Sequence, residues 1–165
     1  MDKASRQFSK IYDKYIEKIY RFIYFKVNSV EISQDLTSET FLKAWQAFQR
    51  EKINNIPAFL YRTARNLITD YYREKAKFQT VSFQNPSFVD PNQSPQEKAI
   101  INSELERVKK ALATLEEDQQ NALILYYLEG IPVREIAQIL EKSENNVRVL
   151  IHRALKNLRE KLTQV

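Results

Sequence analysis

Gly130 is the only glycine in a chain of 165 residues. β-Sandwiches and barrels need many tight turns, and tight turns draw heavily on glycine. Its scarcity argues against those architectures and for helices joined by short connectors. The hydrophobic spacing agrees. Phe8, Ile11, Tyr12, Tyr15, Ile19, Phe22 and Ile23 recur at helical intervals within residues 5–28. A second helix is expected from about Ser33 to Gln49, burying Leu36, Phe41, Leu42, Trp45 and Phe48. Pro57 opens a third, reaching about Lys77 and burying some of Phe59, Leu60, Ala64, Leu67, Ile68 and Tyr71.

The composition then changes. Residues 78–96, FQTVSFQNPSFVDPNQSPQ, hold three of the five prolines and almost no charge. Prolines disfavour continuous helix, so this stretch is expected to be a flexible linker. Its Phe78, Val81, Phe83, Phe88 and Val89 are unusual for a solvated spacer. Helical spacing resumes over about 97–114. A further helix follows Leu115, with Glu116, Glu117 and Asp118 in its first turn, where carboxylates complement the helix dipole. It carries Ala122, Leu123, Leu125, Tyr126 and Leu128 and stops at Gly130, a residue that tolerates positive φ. Pro132 can start the next helix, 132–141, which buries Val133, Ile136, Ala137 and Leu140. The last helix is expected from about Glu144 to Leu162, with Ser143 as its N-cap.

Composition narrows the chemistry. Zero Cys excludes disulfides, cysteine-ligated zinc and cysteine nucleophiles, and a single His leaves no histidine metal cluster. No metal, cofactor or catalytic residue is expected. No apolar run reaches about 18 residues, so no membrane insertion is expected. Charges interrupt the N-terminal stretch, which does not read as a signal peptide, and a cytoplasmic protein is expected. The net charge of +5 is modest, but its distribution is uneven. Arg62, Arg65, Arg73, Lys75 and Lys77 concentrate in one helix, and Lys142, Arg148, Arg153, Lys156, Arg159 and Lys161 in another. Two basic segments, one in each half, point to two contacts with one polyanion.

A short helix, a turn and a longer basic helix make a DNA-binding helix-turn-helix. Val147, Leu150, Ile151, Ala154, Leu155, Leu158 and Leu162 share one face of the last helix. Asn145, Val149, His152, Arg153 and Lys156 lie roughly opposite. Asn can bond adenine, Arg can bond guanine or phosphate, and an apolar side chain can meet a thymine methyl. Ser143, Asn146 and Arg148 complete the exposed set at the N-terminal end, which approaches base edges in this motif.

Two stretches of the first half, DLTSETFLKAWQAF (35–48) and IPAFLYRTARNLITDYYREKAK (56–77), resemble region two of bacterial sigma factors of the extracytoplasmic-function group. Residues 115–162 resemble their region four. The resemblance implies an all-α protein of two small helical domains: 1–78 for core polymerase and the minus-ten element, a linker at 79–96, and a helix-turn-helix domain at 97–165 for the minus-thirty-five element. It implies core RNA polymerase as partner, through the β′ coiled coil and the β flap, together with promoter DNA and an anti-sigma factor. Asp35, Leu36, Glu39, Phe41 and Leu42 become core-binding candidates, although Phe41 and Leu42 equally suit the hydrophobic core. Arg62, Arg65, Asn66, Tyr71, Tyr72, Arg73 and Lys75 become candidates for holding minus-ten DNA, with only one of the two tyrosines able to face fully outward. SENNVRVLIHRAL departs from the commoner PEGTVRSRLHRAR-like form at Asn145, Asn146, Val149 and Leu150, which leaves the promoter sequence open. A free-standing helix-turn-helix regulator is the competing expectation. An enzyme acting on nucleic acid finds no nucleophile–base pair or phosphate-cradling loop in the sequence.

Overall fold

The computed structural model describes residues 1–78 and 95–163, with side chains described for 1–77 and 103–163. The expected linker, including Val81, Phe83, Phe88 and Val89, lies outside the described residues, apart from Phe78, which ends one helix, and Pro95 and Gln96, which open the next. The described residues are helical, without a strand among them, and fall into two compact units. No helix among them is long and apolar enough to cross a membrane.

The first unit holds α1 (Lys3–Val27), α2 (Val30–Arg50) and α3 (Ile56–Phe78), each packed against the other two. Each start is capped by a short polar side chain. Asp2 accepts from the Ser5 N–H at 2.7 Å, Ser29 from Ile32 at 3.3 Å and Asn55 from Ala58 at 3.1 Å. These bonds satisfy N–H groups that no helical carbonyl can reach. α1 ends at Asn28, φ 58°, a residue type that tolerates the left-handed region.

α2 is rotated from the expected phase. Its buried face is Ser33, Leu36, Thr37, Thr40, Phe41, Ala44 and Ala47, and Leu42 is 55% exposed. Small side chains at Ser33, Thr37, Thr40, Ala44 and Ala47 line one stripe and let the helices approach closely. The threonine hydroxyls return to their own helix, Thr37 donating to the Ser33 carbonyl at 2.6 Å and Thr40 to the Leu36 carbonyl at 2.7 Å. The threonine donors of this buried stripe are thereby satisfied, while the Ser33 hydroxyl is buried with no hydrogen-bond partner. Trp45 and Phe48 are half-buried at the edge, around Phe8 of α1, with ring centroids 5.1 and 5.7 Å from it. Tyr61, which the spacing did not mark as core, is 2% exposed and meets Phe22 edge-on at 5.5 Å.

The second unit holds α4 (Pro95–Ala113), α5 (Glu117–Leu123), α6 (Val133–Leu140) and α7 (Glu144–Thr163). α7 is the hub, in contact with α4, α5 and α6. The helix expected to run unbroken to Gly130 changes pitch: Ile124–Leu128 form a π-helical turn, closed by Glu129 N–H to the Ile124 carbonyl at 3.0 Å. Ile124 and Leu125 are buried there, while Tyr126, Tyr127 and Leu128 are exposed. Ile139 joins Ile136 and Leu140 in the core, whereas Val133 is only half-buried.

Gly130 has φ +66°, and a Cβ built there meets nothing within 4 Å. Backbone conformation, not crowding, therefore requires the glycine. Gly130→Ala is expected to destabilise the α5–α6 corner by about 1–2 kcal/mol, the usual left-handed penalty for an L side chain. Amide exchange at Ile136 and Ile139 reports it, and Gly130→Asn should lose less because Asn tolerates this region.

Candidate nucleic-acid and polymerase-binding surfaces

The α6–turn–α7 corner is built by two termini. Glu141 sits at φ 57°, the one left-handed residue of the turn and not a glycine. Lys142 N–H reaches back to the Ala137 carbonyl at 2.9 Å, closing α6, and its ammonium lies 3.2 Å from Asp118 at the start of α5. Ser143 then caps α7, accepting from the Asn146 N–H at 3.1 Å. Ala137, 7% exposed, is small where the two helices cross. Val147 and Ala154 are wholly buried, and Leu150, Ile151, Leu155, Leu158 and Leu162 are half-buried on the same side.

That anchoring turns the other face of α7 outward. Ser143, Asn145, Asn146, Arg148, Val149, His152, Arg153 and Lys156 are all exposed, so the structure assembles the whole expected set on one surface. Arg148 lies 3.4 Å from Glu144, an exposed pair worth at most about 1 kcal/mol and easily broken for a phosphate. Arg134 and Gln138 of α6 line a shallow cleft with Lys142 and Asn146. Sequence reasoning missed both; their signal was a polar outer face on a helix too short to bury more than one side.

In the first unit, α3 divides the expected minus-ten residues. Leu60, Tyr61, Ala64, Leu67 and Ile68 form its buried arc. At about 100° per residue, Tyr71 and Lys75 continue that arc, and both are half-buried. Arg62, Arg65, Asn66 and Arg73 lie away from that arc, Asn66 and Arg73 exposed and Arg62 and Arg65 half-buried. The structure therefore brings those four together and separates Tyr71 and Lys75 from them. Arg65 donates to Asn66 Oδ1 at 3.3 Å, steadying the carboxamide. Lys75 instead lies over the Tyr71 ring, 5.9 Å from its centroid.

Tyr72 stands between the two groups. Its ring is 42% exposed, but its hydroxyl donates to the Lys26 carbonyl at 2.6 Å, in the last turn of α1. Such carbonyls lack a partner within their own helix. Burial, with Tyr71 second, pushes the phenol up to about 12 from its ordinary 10.0. A raised folded pKa favours the neutral donor, so this tie is intact below pH 10 and is lost only as pH rises through about 12.

α2 presents a third surface. Asp35, Glu39 and Leu42 are exposed and spaced to share one face, roughly opposite the Ser33 stripe. Leu36 and Phe41, expected beside them, are 8% and 4% exposed and belong to the core. An exposed leucine beside two carboxylates, on a helix already packed on its other side, has the form of a small interface centre with an acidic rim.

These are the features of a two-unit helical protein with a helix-turn-helix in one unit and a second basic helix in the other. The description "Sigma-70 region 2" matches residues 11–78, and "Sigma-70, region 4" matches residues 105–158. The ECF RNA polymerase sigma factor BldN of Streptomyces coelicolor is 30% identical over 156 residues, covering 92% of this chain. The ECF sigma factor ShbA of Streptomyces griseus is 32% identical over 132 residues, covering 76% of this chain. The chain spans 58% of the length of BldN and 69% of that of ShbA. The sigma factor RpoE of Bartonella quintana, solved in complex with the anti-sigma factor NepR, shares the fold at a TM-score of 0.76 and 22% identity, with 96% of this chain and 98% of that one covered. The chain belongs to the sigma-70 family of RNA polymerase sigma factors, in its extracytoplasmic-function group.

Proposed function

We propose that this chain is a promoter-specificity subunit that binds core RNA polymerase, engages two promoter elements and helps to open the DNA between them. The observation that carries this reading is the pairing, in one chain of this family, of the Arg62–Arg65–Asn66–Arg73 side of α3 with the exposed face of α7. Residues 1–78 serve core polymerase and the minus-ten element, 79–96 connect, and 97–165 serve the minus-thirty-five element. Asp35, Glu39 and Leu42 meet a basic, partly apolar helical partner on polymerase, the β′ coiled coil, while Leu36 and Phe41 hold α2 in place for them. The β flap is the corresponding partner of the second unit.

Opening requires that a base leave the stack, at a cost of a few kcal/mol that a capturing surface must offset. Asn66 offers paired donor and acceptor groups to a base edge, and Arg62, Arg65 and Arg73 neutralise the adjoining phosphates. Tyr72 acts chiefly through its tie to α1, orienting α3, and Tyr71 packs the helix end. The two DNA contacts are individually modest. Tethering makes the second effectively intramolecular, and core polymerase fixes the distance between them. The protein catalyses no reaction itself and works in the cytoplasm, where core polymerase is found. By analogy with the RpoE–NepR complex, an anti-sigma factor holds it inactive until a signal releases it.

The test compares the free chain with the chain bound to core polymerase on the same DNA. Free protein should bind weakly and lose affinity steeply with salt, because phosphate neutralisation dominates. Core polymerase should confer sequence-specific retention, and Arg153→Ala should reduce the minus-thirty-five contribution several-fold. Tight binding of free protein to a palindromic duplex, unaffected by core polymerase, would instead identify a free-standing regulator.

A further inference from the structure

The reading face of α7 contains an apolar residue where polar chemistry is expected. Val149 is 45% exposed, with Asn145, Asn146, His152 and Arg153 one turn away on either side, all exposed. Val149 contributes nothing to the core, whose α7 members lie on the opposite side through Val147 and Ala154. Valine in a helix is held at χ1 by its branching, so its two methyls project in a nearly fixed direction. Between Ser143 and Val149 the one cationic residue is Arg148, whose guanidinium faces Glu144 at 3.4 Å. The N-terminal turns of the reader thus present two carboxamides and a branched aliphatic group beside Arg148, whose exposed pair with Glu144 leaves it available to phosphate.

In the major groove, one base-edge group is apolar: the C5-methyl of thymine. We infer that Val149 is a specificity-determining residue that packs against a thymine methyl in the minus-thirty-five element, flanked by carboxamides suited to adenine. This rests on α7 being the minus-thirty-five reader and adds to it a base preference. An exposed valine has no favourable contact with phosphate or with the amino and carbonyl groups of a G·C pair. A methyl buried against it removes apolar surface from water on both sides.

The experiment removes the methyl alone. Holoenzyme assembled from the full chain and core polymerase first selects a minus-thirty-five sequence from a randomised pool. Each thymine of the selected element, on either strand, is then replaced in turn by deoxyuridine. With the wild-type chain, one replacement should weaken promoter retention about fourfold, the effect of one buried methyl group. With Val149→Ala, which should keep the wild-type circular dichroism spectrum because the site is exposed, that replacement should change retention by less than about 1.5-fold. The inference is overturned if no thymine is methyl-sensitive, or if Val149→Ala keeps the full sensitivity. Scrambling the whole minus-thirty-five element separates the two levels. If scrambling weakens retention but deoxyuridine does not, only the Val149 assignment falls. If scrambling has no effect, the assignment of α7 falls with it.

Discussion

Asn66→Ala should reduce promoter opening by roughly 30-fold while leaving core polymerase binding within about twofold of wild type. Asn66 is exposed on the outer side of α3 and supports no part of the core. In the proposed role its loss removes a contact made only after strands separate, worth about 2 kcal/mol on the scale of base flipping. Permanganate reactivity of unpaired thymines measures opening, and competition for core polymerase measures binding. Arg65→Ala should follow the same pattern, since Arg65 both faces outward and donates to Asn66 at 3.3 Å. Tyr71→Ala should differ in kind. Tyr71 continues the buried arc of α3, so its substitution should lower stability before it lowers opening. A matching loss of core binding in Asn66→Ala would contradict this division of labour.

Leu42→Glu should weaken core polymerase binding by tenfold or more with no loss of fold. Burying a leucine side chain stabilises by about 1.5–3 kcal/mol, and a carboxylate in its place would be desolvated without that gain. At 55% exposure Leu42 is not holding the bundle together. Leu36→Ala and Phe41→Ala make the contrast. These residues are buried, and truncating them should cost about 2–5 kcal/mol of stability through cavity formation, whatever happens to binding. Asp35→Asn and Glu39→Gln should act mainly on the association rate and its salt dependence, because exposed rim charges steer more than they bind. Analytical competition with core polymerase, read beside thermal unfolding of each variant, separates these effects. If Leu42→Glu bound core polymerase normally, the exposed face of α2 would not be the contact.

The helices were legible because long amphipathic stretches have few alternatives, and the corner at Gly130 because φ +66° suits glycine. The reading face of α7 was legible for the same reason: burying Val147 and Ala154 leaves one direction for Asn145, Val149 and Lys156. α2 defeated the same logic. Its buried stripe is Ser33, Thr37, Thr40, Ala44 and Ala47, residues that hydropathy ranks low but that close helix packing favours. Large apolar residues set the expected phase, which fits Leu42 to the core as readily as to a polymerase contact and overlooks the stripe. The separation of Tyr71 and Lys75 from Arg62 and Asn66 had a usable signal in the 100° rotation per residue, which composition alone obscured. The π-helical turn at Ile124–Leu128 and the left-handed Glu141 had none: no residue type there demands either conformation, and both sit beside the buried Leu125, Ile139 and Leu140.

On the proposed function, α2, α3 and α7 serve three steps: joining polymerase, opening DNA and reading the upstream element. The most direct test is transcription from a selected promoter by core polymerase, with and without the purified chain, with start sites mapped. Discrete start sites that depend on the chain and on both promoter elements are predicted. Transcription that is unchanged by the chain, or a chain that does not associate with core polymerase, would contradict the account.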